Sequence, residues 1–452
     1  MGTQRSHRRT LVRLGGPVYL ELLAGVAAGI INMVWVARLG GDAVAAVALA
    51  TNVENLLLGV VLMAGSGTTV LVARARGAAD PGAVRTAVRG GTALCALLVP
   101  PVALGGLLLR EPLAALLLGG TGGGTGHDGA YALTVAYLAV SLPGTAVLYA
   151  GNVLDGVLKG AGDTRTPMRL AFLANGLILV LDPLLIHAYG VPGAALATVL
   201  GRTAALAAGL AALRRHPLLR AARATAPTGT TAAALRRTAA TGLPMAADFT
   251  LRMGGALALV AVVARLGVTE TAAYGIATKG MYVATMALYA VRQAAAIHTA
   301  HLLGAGSGAG GRAAVARAAT LLGAGLGTGF AALLWAGADG VMRLFGAGPE
   351  VAAAGALFLR CLAGYLPLMG AYIAAAGVFD GAGASRYLAG ITVAGVLLQL
   401  PLALALSGLG LPGICLAMTL AMAAQLGALA VSHRRTARPA QAERVSTFSG
   451  SG

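Results

Sequence analysis

The chain has 452 residues, of which 58% are hydrophobic and only 11% are charged, and its formal net charge is +18. A soluble globular protein is nearer half apolar and a quarter charged, so this composition excludes an ordinary soluble protein and indicates a membrane protein. The positive charge does not indicate nucleic-acid binding, because the basic residues lie between apolar segments, where they determine membrane topology instead.

Apolar segments of roughly twenty residues, long enough to cross a membrane, occur in two sets along the chain. After a basic N-terminus at 1–13, the first set lies at about 14–37, 43–72, 90–109, 130–157, 168–189 and 192–213. A polar, arginine-rich linker at 214–237 precedes the second set, which lies at about 240–264, 271–300, 316–338, 352–379, 387–408 and 411–432. Residues 433–452 are polar and are predicted to be a disordered cytoplasmic tail.

The basic residues between these segments predict the orientation of the chain. Lysines and arginines are about six times more frequent on one side of the predicted spans than on the other, and the basic side is the cytoplasmic one. The opposite side carries only Arg38, Arg110, Arg265 and Arg343. The sequence therefore predicts a multi-pass protein of the cell inner (plasma) membrane, with both termini in the cytoplasm.

The two sets of segments repeat one another at a nearly constant spacing. Pro17 and Pro244 are 227 residues apart, and the same interval separates the sequence VARLG at Val36–Gly40 from its second copy at Val263–Gly267. Each copy begins on the same side of the membrane, so the repeat is parallel and its axis lies along the membrane normal. Two similar bundles related in this way can rock against each other and open a central cavity to alternate sides.

We therefore predict an all-α integral membrane protein whose twelve transmembrane helices form two pseudo-symmetric six-helix bundles, at 14–213 and 238–432. A channel would more naturally be a symmetric oligomer of short subunits, so the duplication favours a transporter, which we expect to be monomeric. The sequence contains no P-loop, no HExxH motif and no paired-cysteine site. It therefore predicts no enzymatic activity, no metal site and no ATP site, so that transport would be secondary.

Several motifs, in their order along the chain, resemble the multidrug and toxic compound extrusion (MATE) family. They are NMVWVARLG at Asn32–Gly40, LKGAGDTRTPM at Leu158–Met168, LDPLLI at Leu181–Ile186, and FDGAGASR at Phe379–Arg386. The resemblance implies an antiporter that exports drugs or other organic, often cationic, compounds in exchange for H⁺ or Na⁺. It implies a small-molecule substrate, a coupling cation, the lipid bilayer and no nucleic acid as partners, with no cofactor besides the coupling ion.

The same superfamily contains lipid-linked and polysaccharide precursor flippases, which are the alternative function. Those transporters handle anionic phosphates and would need several arginines in the cavity, and few basic residues lie near the predicted spans. The basic residues nearest the spans are Arg202, Arg252, Lys279, Arg292 and Arg360. The small number of basic residues near the spans favours the exporter over the flippase.

Charged side chains inside spans are costly and usually mark an ion or substrate path. Asp182 is the best candidate for cation coupling, because it lies in an apolar run next to Pro183, where a backbone carbonyl is freed. A carboxylate in a low dielectric can bind a proton near neutral pH, although a structural carboxylate bonded to a neighbouring helix is the alternative. The family commonly places an aspartate in helix 1 where this chain has Asn32.

Further members of the predicted coupling site are Asn175 and Thr198, which offer neutral oxygens or helix–helix hydrogen bonds. Glu21 is another candidate for this site, where it would either gate the site or partner groups at a helix end. Other acidic residues in or near the spans are Glu54, Asp155, expected to pair with Lys159 one turn later, and Asp380, expected to be solvated.

The second half offers a different set of candidates. Asp248 and Arg252 have i, i+4 spacing and are predicted to share a helix face, either as a charge site or as a structural pair. Aromatic and methionine side chains can bind flat cations in a cavity, or they can face lipid or pack between helices. The candidates for the substrate cavity are Tyr282, Met286, Tyr289 and Tyr372.

Overall fold

The structure is a computed structural model that describes residues 2–117 and 128–448. These residues are almost entirely α-helical, with no strand among them. The first eight helices are α1 (Gly2–Ala37), α2 (Gly41–Gly77), α3 (Pro81–Leu108), α4 (Arg110–Leu117), α5 (Asp128–Gly160), α6 (Arg165–Tyr189), α7 (Val191–Arg215) and α8 (Pro217–Ala224). The remaining eight are α9 (Thr231–Val263), α10 (Val268–Gly304), α11 (Ala309–Ala336), α12 (Ala338–Leu344), α13 (Pro349–Cys361), α14 (Tyr365–Ala382), α15 (Ser385–Ala405) and α16 (Gly410–Phe448).

Most of these helices are long and apolar enough to cross a membrane. Ten qualify by themselves within the described residues, and α13 and α14, which are bent by 55° at the break between them, together form an eleventh span. The remaining long helix is α10, whose interior contains Lys279 and Arg292. With α10 the count is twelve, so the predicted fold class, an all-α membrane protein of twelve helices in two bundles, is confirmed.

Local sequence signals explain where the helices begin and end. Gly40 and Gly267 have positive φ values of 108° and 143°, and these two glycines close the VARLG turns that precede α2 and α10. Asp80 caps α3 by accepting a hydrogen bond from the Ala83 amide at 3.0 Å, and Pro81 occupies the first helical position. Gly40 and Gly267 thus form the same kind of turn at equivalent positions of the two halves of the repeat.

The described helices group into two compact units. One unit comprises Leu20–Ala246 and is called the first bundle here; the other comprises Met1–Tyr19 with Ala247–Gly452 and is called the second bundle. Each boundary lies inside a helix, two residues after Pro17 in α1 and two residues after Pro244 in α9. The start of α1 thus groups with the second half of the chain, and the start of α9 with the first half.

Small residues allow the helices within each bundle to approach closely. In the first bundle, Gly65 of α2 packs directly on Asn152 of α5. In the second bundle, Gly323 of α11 packs on the backbone of Gly370 in α14, and Gly377 packs on the backbone of α10. Helix association in a membrane depends on such close packing, since lipid supplies no hydrophobic driving force.

Two polar segments contain more helix than the sequence predicts. The linker predicted at 214–237 contains the short helix α8 (Pro217–Ala224) and the beginning of α9. Helix α16 extends through Phe448, into the tail predicted to be disordered, and residues 449–452 lie outside the described part of the chain.

Candidate functional site

The first bundle brings Asp182 together with Asn32, although these residues are 150 positions apart in the chain. Asn32 Nδ2 in α1 donates a hydrogen bond of 3.0 Å to Asp182 Oδ2 in α6. The Asp182 side chain is almost fully buried, with 1% of the residue exposed. Its second oxygen, Oδ1, is buried and has no hydrogen-bond partner among the residues that the structure describes. Thus only one of the two carboxylate oxygens accepts a hydrogen bond from the described residues.

The two neutral residues of the predicted coupling site lie near this pair without bonding to it. Asn175 is half-buried and lies two turns before Asp182 on α6. Thr198 on α7 is also half-buried, and its hydroxyl donates to the Ala194 carbonyl within its own helix at 3.1 Å. Within the described ranges no hydrogen bond joins either residue to the Asp182 carboxylate.

Glu21 is held elsewhere in the first bundle. Lys159 Nζ of α5 donates to Glu21 Oε1 at 2.7 Å, and the side chains are 10% and 14% exposed. The predicted ion pair of Lys159 with Asp155 is therefore wrong, because the direct partner of Lys159 is Glu21. Asp155 acts on this pair electrostatically, from one turn earlier on α5. The i, i+4 spacing suggested the nearer residue, whereas the fold supplies a carboxylate from another helix.

The second bundle contains a network of three buried charges and the partly buried Arg252, which extends the predicted pair of Asp248 and Arg252. These two residues of α9 are joined at 3.2 Å. Arg292 of α10 then bridges two carboxylates, with Nη2 2.7 Å from Asp248 Oδ2 and Nε 2.8 Å from Asp380 Oδ2. Asp380 is 1% exposed, so the expectation that it is solvated is wrong.

Hydroxyl groups complete this network. Ser385 donates to Asp380 Oδ1 at 3.0 Å, and the Thr392 hydroxyl donates to Asp248 Oδ1 at 2.5 Å. The network ties α9, α10, α14 and α15 together, and its two carboxylates are balanced by two guanidinium groups. A buried charge is tolerated when it is paired and hydrogen-bonded in this way. The sequence did not reveal the role of Arg292, because its partners lie 44 and 88 positions away.

The aromatic and methionine candidates for a substrate cavity are in three different environments. Tyr372 is fully buried, and the Arg252 guanidinium lies 5.0 Å from its ring centroid, so it packs with the charge network. Tyr282 on α10 is 44% exposed. Met286 and Tyr289, on the same helix, are half-buried.

Among the described residues, no group of three or more His, Cys, Asp or Glu side chains is placed to hold a metal ion. The charged side chains inside the helices form the ion pair of Glu21 with Lys159 and the second-bundle network, whereas Asp182 has no cationic partner within 4.0 Å among the described residues.

Comparison with protein families matches the chain to MatE, at residues 17–184 and again at residues 244–405. The two matches cover the two halves of the internal repeat. Among known relatives, the chain is 27% identical over 388 residues to the "Probable multidrug resistance protein YpnP" of Bacillus subtilis, covering 84% of each chain.

Other relatives match over shorter stretches. The "Probable multidrug resistance protein NorM" of Thermotoga maritima is 30% identical over 201 residues, covering 43% of this chain and 42% of the relative. The "FAD transporter" of Shewanella oneidensis is 26% identical over 219 residues, covering 47% of each chain.

Solved structures share the fold across the whole chain. An outward-facing multidrug resistance MATE family transporter of the MOP superfamily superposes with a TM-score of 0.87 at 21% identity, over 96% of this chain and 97% of the other. A MOP superfamily transporter from Pyrococcus furiosus superposes with a TM-score of 0.86, at the same identity and coverage.

The twelve-helix fold and its buried charges define a multi-pass membrane transporter. More narrowly, the chain belongs to the MatE family, since the family model matches most of its length in both halves. The resemblance predicted from the sequence motifs is thereby confirmed.

Proposed function

We propose that this protein is a proton-coupled antiporter that exports organic, often cationic, compounds across the inner membrane by alternating access of its two bundles. The observation that carries the proposal is the Asp182 carboxylate, which is buried, held on one oxygen by Asn32 and unpartnered on the other among the described residues. A carboxylate in such a place binds and releases a proton as its surroundings alternate between dry and wet. No cofactor is needed besides the coupling ion.

The ligand chemistry favours H⁺ over Na⁺. A hard cation gains affinity from several oxygen ligands, charged ones above all. Here Asn32 directs its amide nitrogen, not its oxygen, at Asp182, and no hydrogen bond joins the Thr198 hydroxyl to the Asp182 carboxylate among the described residues. One carboxylate with one free oxygen suits a single proton better than a coordinated metal ion.

Coupling would arise from competition within one bundle. Protonation neutralises Asp182 and weakens the attraction of the site for a cationic solute, so proton and solute bind in turn without direct contact. Both termini would lie in the cytoplasm, as the arginine asymmetry predicts, and the protein would act as a monomer in the lipid bilayer without nucleic-acid partners.

The family relatives support export of small organic compounds rather than flipping of lipid-linked precursors. Two of the relatives described above carry names of multidrug resistance proteins, and a third is named an FAD transporter. These names cover chemically different solutes, so the substrate has to be derived from the site residues of this chain.

The test is transport by the full-length protein in liposomes, with a fluorescent organic cation and an imposed pH or Na⁺ gradient in turn. We expect a pH gradient alone to drive transport, and Asp182→Asn to abolish it while leaving membrane insertion and binding of the cation intact. Asp80→Asn is the matched control, because Asp80 is exposed and asparagine caps a helix equally well. Active transport by Asp182→Asn, or transport driven only by Na⁺, would refute proton coupling at this residue.

A further inference from the structure

Arg202 lies in the middle of a membrane span and is exposed. It follows Val191, the first residue of α7, by 11 positions and precedes Arg215, the last, by 13. At a rise of about 1.5 Å per residue, either end of the helix is roughly 17–20 Å away, which is beyond the reach of an arginine side chain. A guanidinium at this depth is costly in hydrocarbon, so its exposed surface is expected to face water rather than lipid.

Glu54, on helix α2 of the same bundle, lies at a depth in its membrane span comparable to that of Arg202. Helices α2 and α5 run side by side in the same direction, since Gly65 packs on Asn152 and Gly160 packs on the Thr69 carbonyl. The first of these contacts joins positions that are 87 apart in the chain. The same offset pairs Glu54 of α2 with position 141 of α5.

Position 141 is Ser141, which is close enough to the Glu54 carboxylate to interact with it, although the two do not form a direct hydrogen bond. The serine is 7% exposed, and its Oγ has no hydrogen-bond partner within the described part of the chain. Gly144, one turn further along α5, packs on Val199, which lies one turn before Arg202 on α7. These contacts bring the three side chains to one region of the first bundle.

The opposite charges here are near one another but do not form a closed ion pair. Arg202 acts electrostatically on Glu54, and the charges of Glu54, Arg202 and Asp182 all act on Tyr137. Yet none of the ion pairs within 4.0 Å among the described residues includes Glu54 or Arg202. Each charge therefore keeps its capacity for a ligand, in contrast to the closed pair of Glu21 with Lys159.

We propose that Glu54, Ser141 and Arg202 form a recognition site for zwitterionic solutes, which carry an amine and a carboxylate or phosphate. The Glu54 carboxylate binds the amine, and the Arg202 guanidinium binds the acidic group through two parallel hydrogen bonds. Ser141 donates or accepts a further hydrogen bond. This inference rests on the proposed function, because it names the class of solute that the exporter carries.

The expected selectivity follows from the two charges. A purely cationic solute is attracted by Glu54 and repelled by Arg202, and a purely anionic one is attracted by Arg202 and repelled by Glu54. A zwitterion uses both groups, and removing either charged group should weaken its binding roughly tenfold or more, since about 1.4 kcal/mol corresponds to a factor of ten.

The experiment compares three related probes on full-length protein in detergent: dansyl-lysine, which is zwitterionic, its cationic methyl ester and its anionic N-acetyl derivative. Equilibrium binding is measured by dansyl fluorescence. We expect Arg202→Gln to weaken binding of dansyl-lysine at least tenfold while binding of the ester is unchanged or becomes stronger. Glu54→Gln should weaken dansyl-lysine similarly and spare the N-acetyl derivative. Arg220→Gln, at an exposed residue of α8, is the control and should change none of the three.

Equal losses for dansyl-lysine and its ester in Arg202→Gln would show a structural role for Arg202 and overturn the proposal. Wild-type affinity for dansyl-lysine in both variants would overturn it as well. Retained binding of the ester shows that Arg202→Gln is folded, and retained binding of the N-acetyl derivative shows the same for Glu54→Gln. Binding needs no ion gradient, so a failure of proton-driven transport would refute the proposed function while this selectivity pattern still stood.

Discussion

In the first bundle, the Asp182 carboxylate receives one hydrogen bond, from Asn32, and its other oxygen has no partner among the described residues. In the second bundle, Asp248 and Asp380 are held by Arg252 and Arg292 and by two hydroxyl groups. Both arrangements bury carboxylates inside apolar helices. The difference lies in charge compensation: the first carboxylate has no cationic side chain paired with it among the described residues and is proposed to exchange an ion, whereas the second arrangement already contains its cations as arginine side chains.

Whether a buried carboxylate has a cationic partner also determines how a substitution in each arrangement changes the stability of the protein. Breaking a buried ion pair by removing one partner is strongly destabilising, because the other charge remains buried and unpaired. Asp182 has no cationic partner within 4.0 Å among the described residues, so neutralising it leaves no charge stranded. The second-bundle network should therefore be sensitive to single substitutions that the Asp182 site tolerates.

The largest expected effect is on stability, from Arg292→Met. This change leaves Asp248 and Asp380 without their shared guanidinium, and we expect the free energy of unfolding to fall by about 3–5 kcal/mol. Thermal unfolding of the detergent-solubilised protein measures it. Arg360→Met is the control, since its pair with Asp339 is exposed and is expected to contribute less than about 1 kcal/mol. Equal unfolding temperatures for the two variants would contradict a structural role for the network.

An intermediate effect is expected from Asn32→Asp, which gives the first bundle a second carboxylate beside Asp182. Two charged oxygens suit a hard cation better than one, so Na⁺ should bind or drive transport at least about tenfold better than in the wild type, about 1.4 kcal/mol. Transport in liposomes with an imposed Na⁺ gradient measures the change. If Na⁺ has no effect on this variant, Asn32 and Asp182 do not share a cation site.

The smallest effect is expected on the stability of Asp182→Asn. The amide keeps one hydrogen-bonding group toward Asn32 and removes a half-satisfied charge, so the free energy of unfolding should change by less than about 1 kcal/mol. Thermal unfolding beside Arg292→Met gives the comparison directly. A loss as large as that of Arg292→Met would mean that Asp182 is structural.

The sequence predicted the architecture well because the signals for it are local and repeated. Apolar length and the 227-residue repeat are each read along the chain, and the turns at Gly40 and Gly267 follow the same repeat. The position of Asp182 as a carboxylate inside an apolar helix could also be predicted, and the structure shows that it is buried; its role in coupling stays a prediction.

The partners of the buried charges could not be predicted in the same way. Lys159 binds Glu21, which is 138 positions away, and Arg292 binds Asp380, which is 88 positions away. Helical spacing identifies only neighbours on one helix, such as Asp248 and Arg252, which do pair. Which side chains meet across helices depends on the packing of small residues such as Gly65 and on the register that this packing fixes.

The most direct test of proton coupling is the release of protons on binding of the transported solute. A fluorescent organic cation is added to full-length protein in weakly buffered detergent solution near neutral pH, and a pH-sensitive dye reports the protons released. If solute and proton compete through Asp182, the wild type releases protons in proportion to the solute bound, and Asp182→Asn binds the solute without releasing any. Equal release by the two proteins would contradict the assignment of the coupling proton to Asp182.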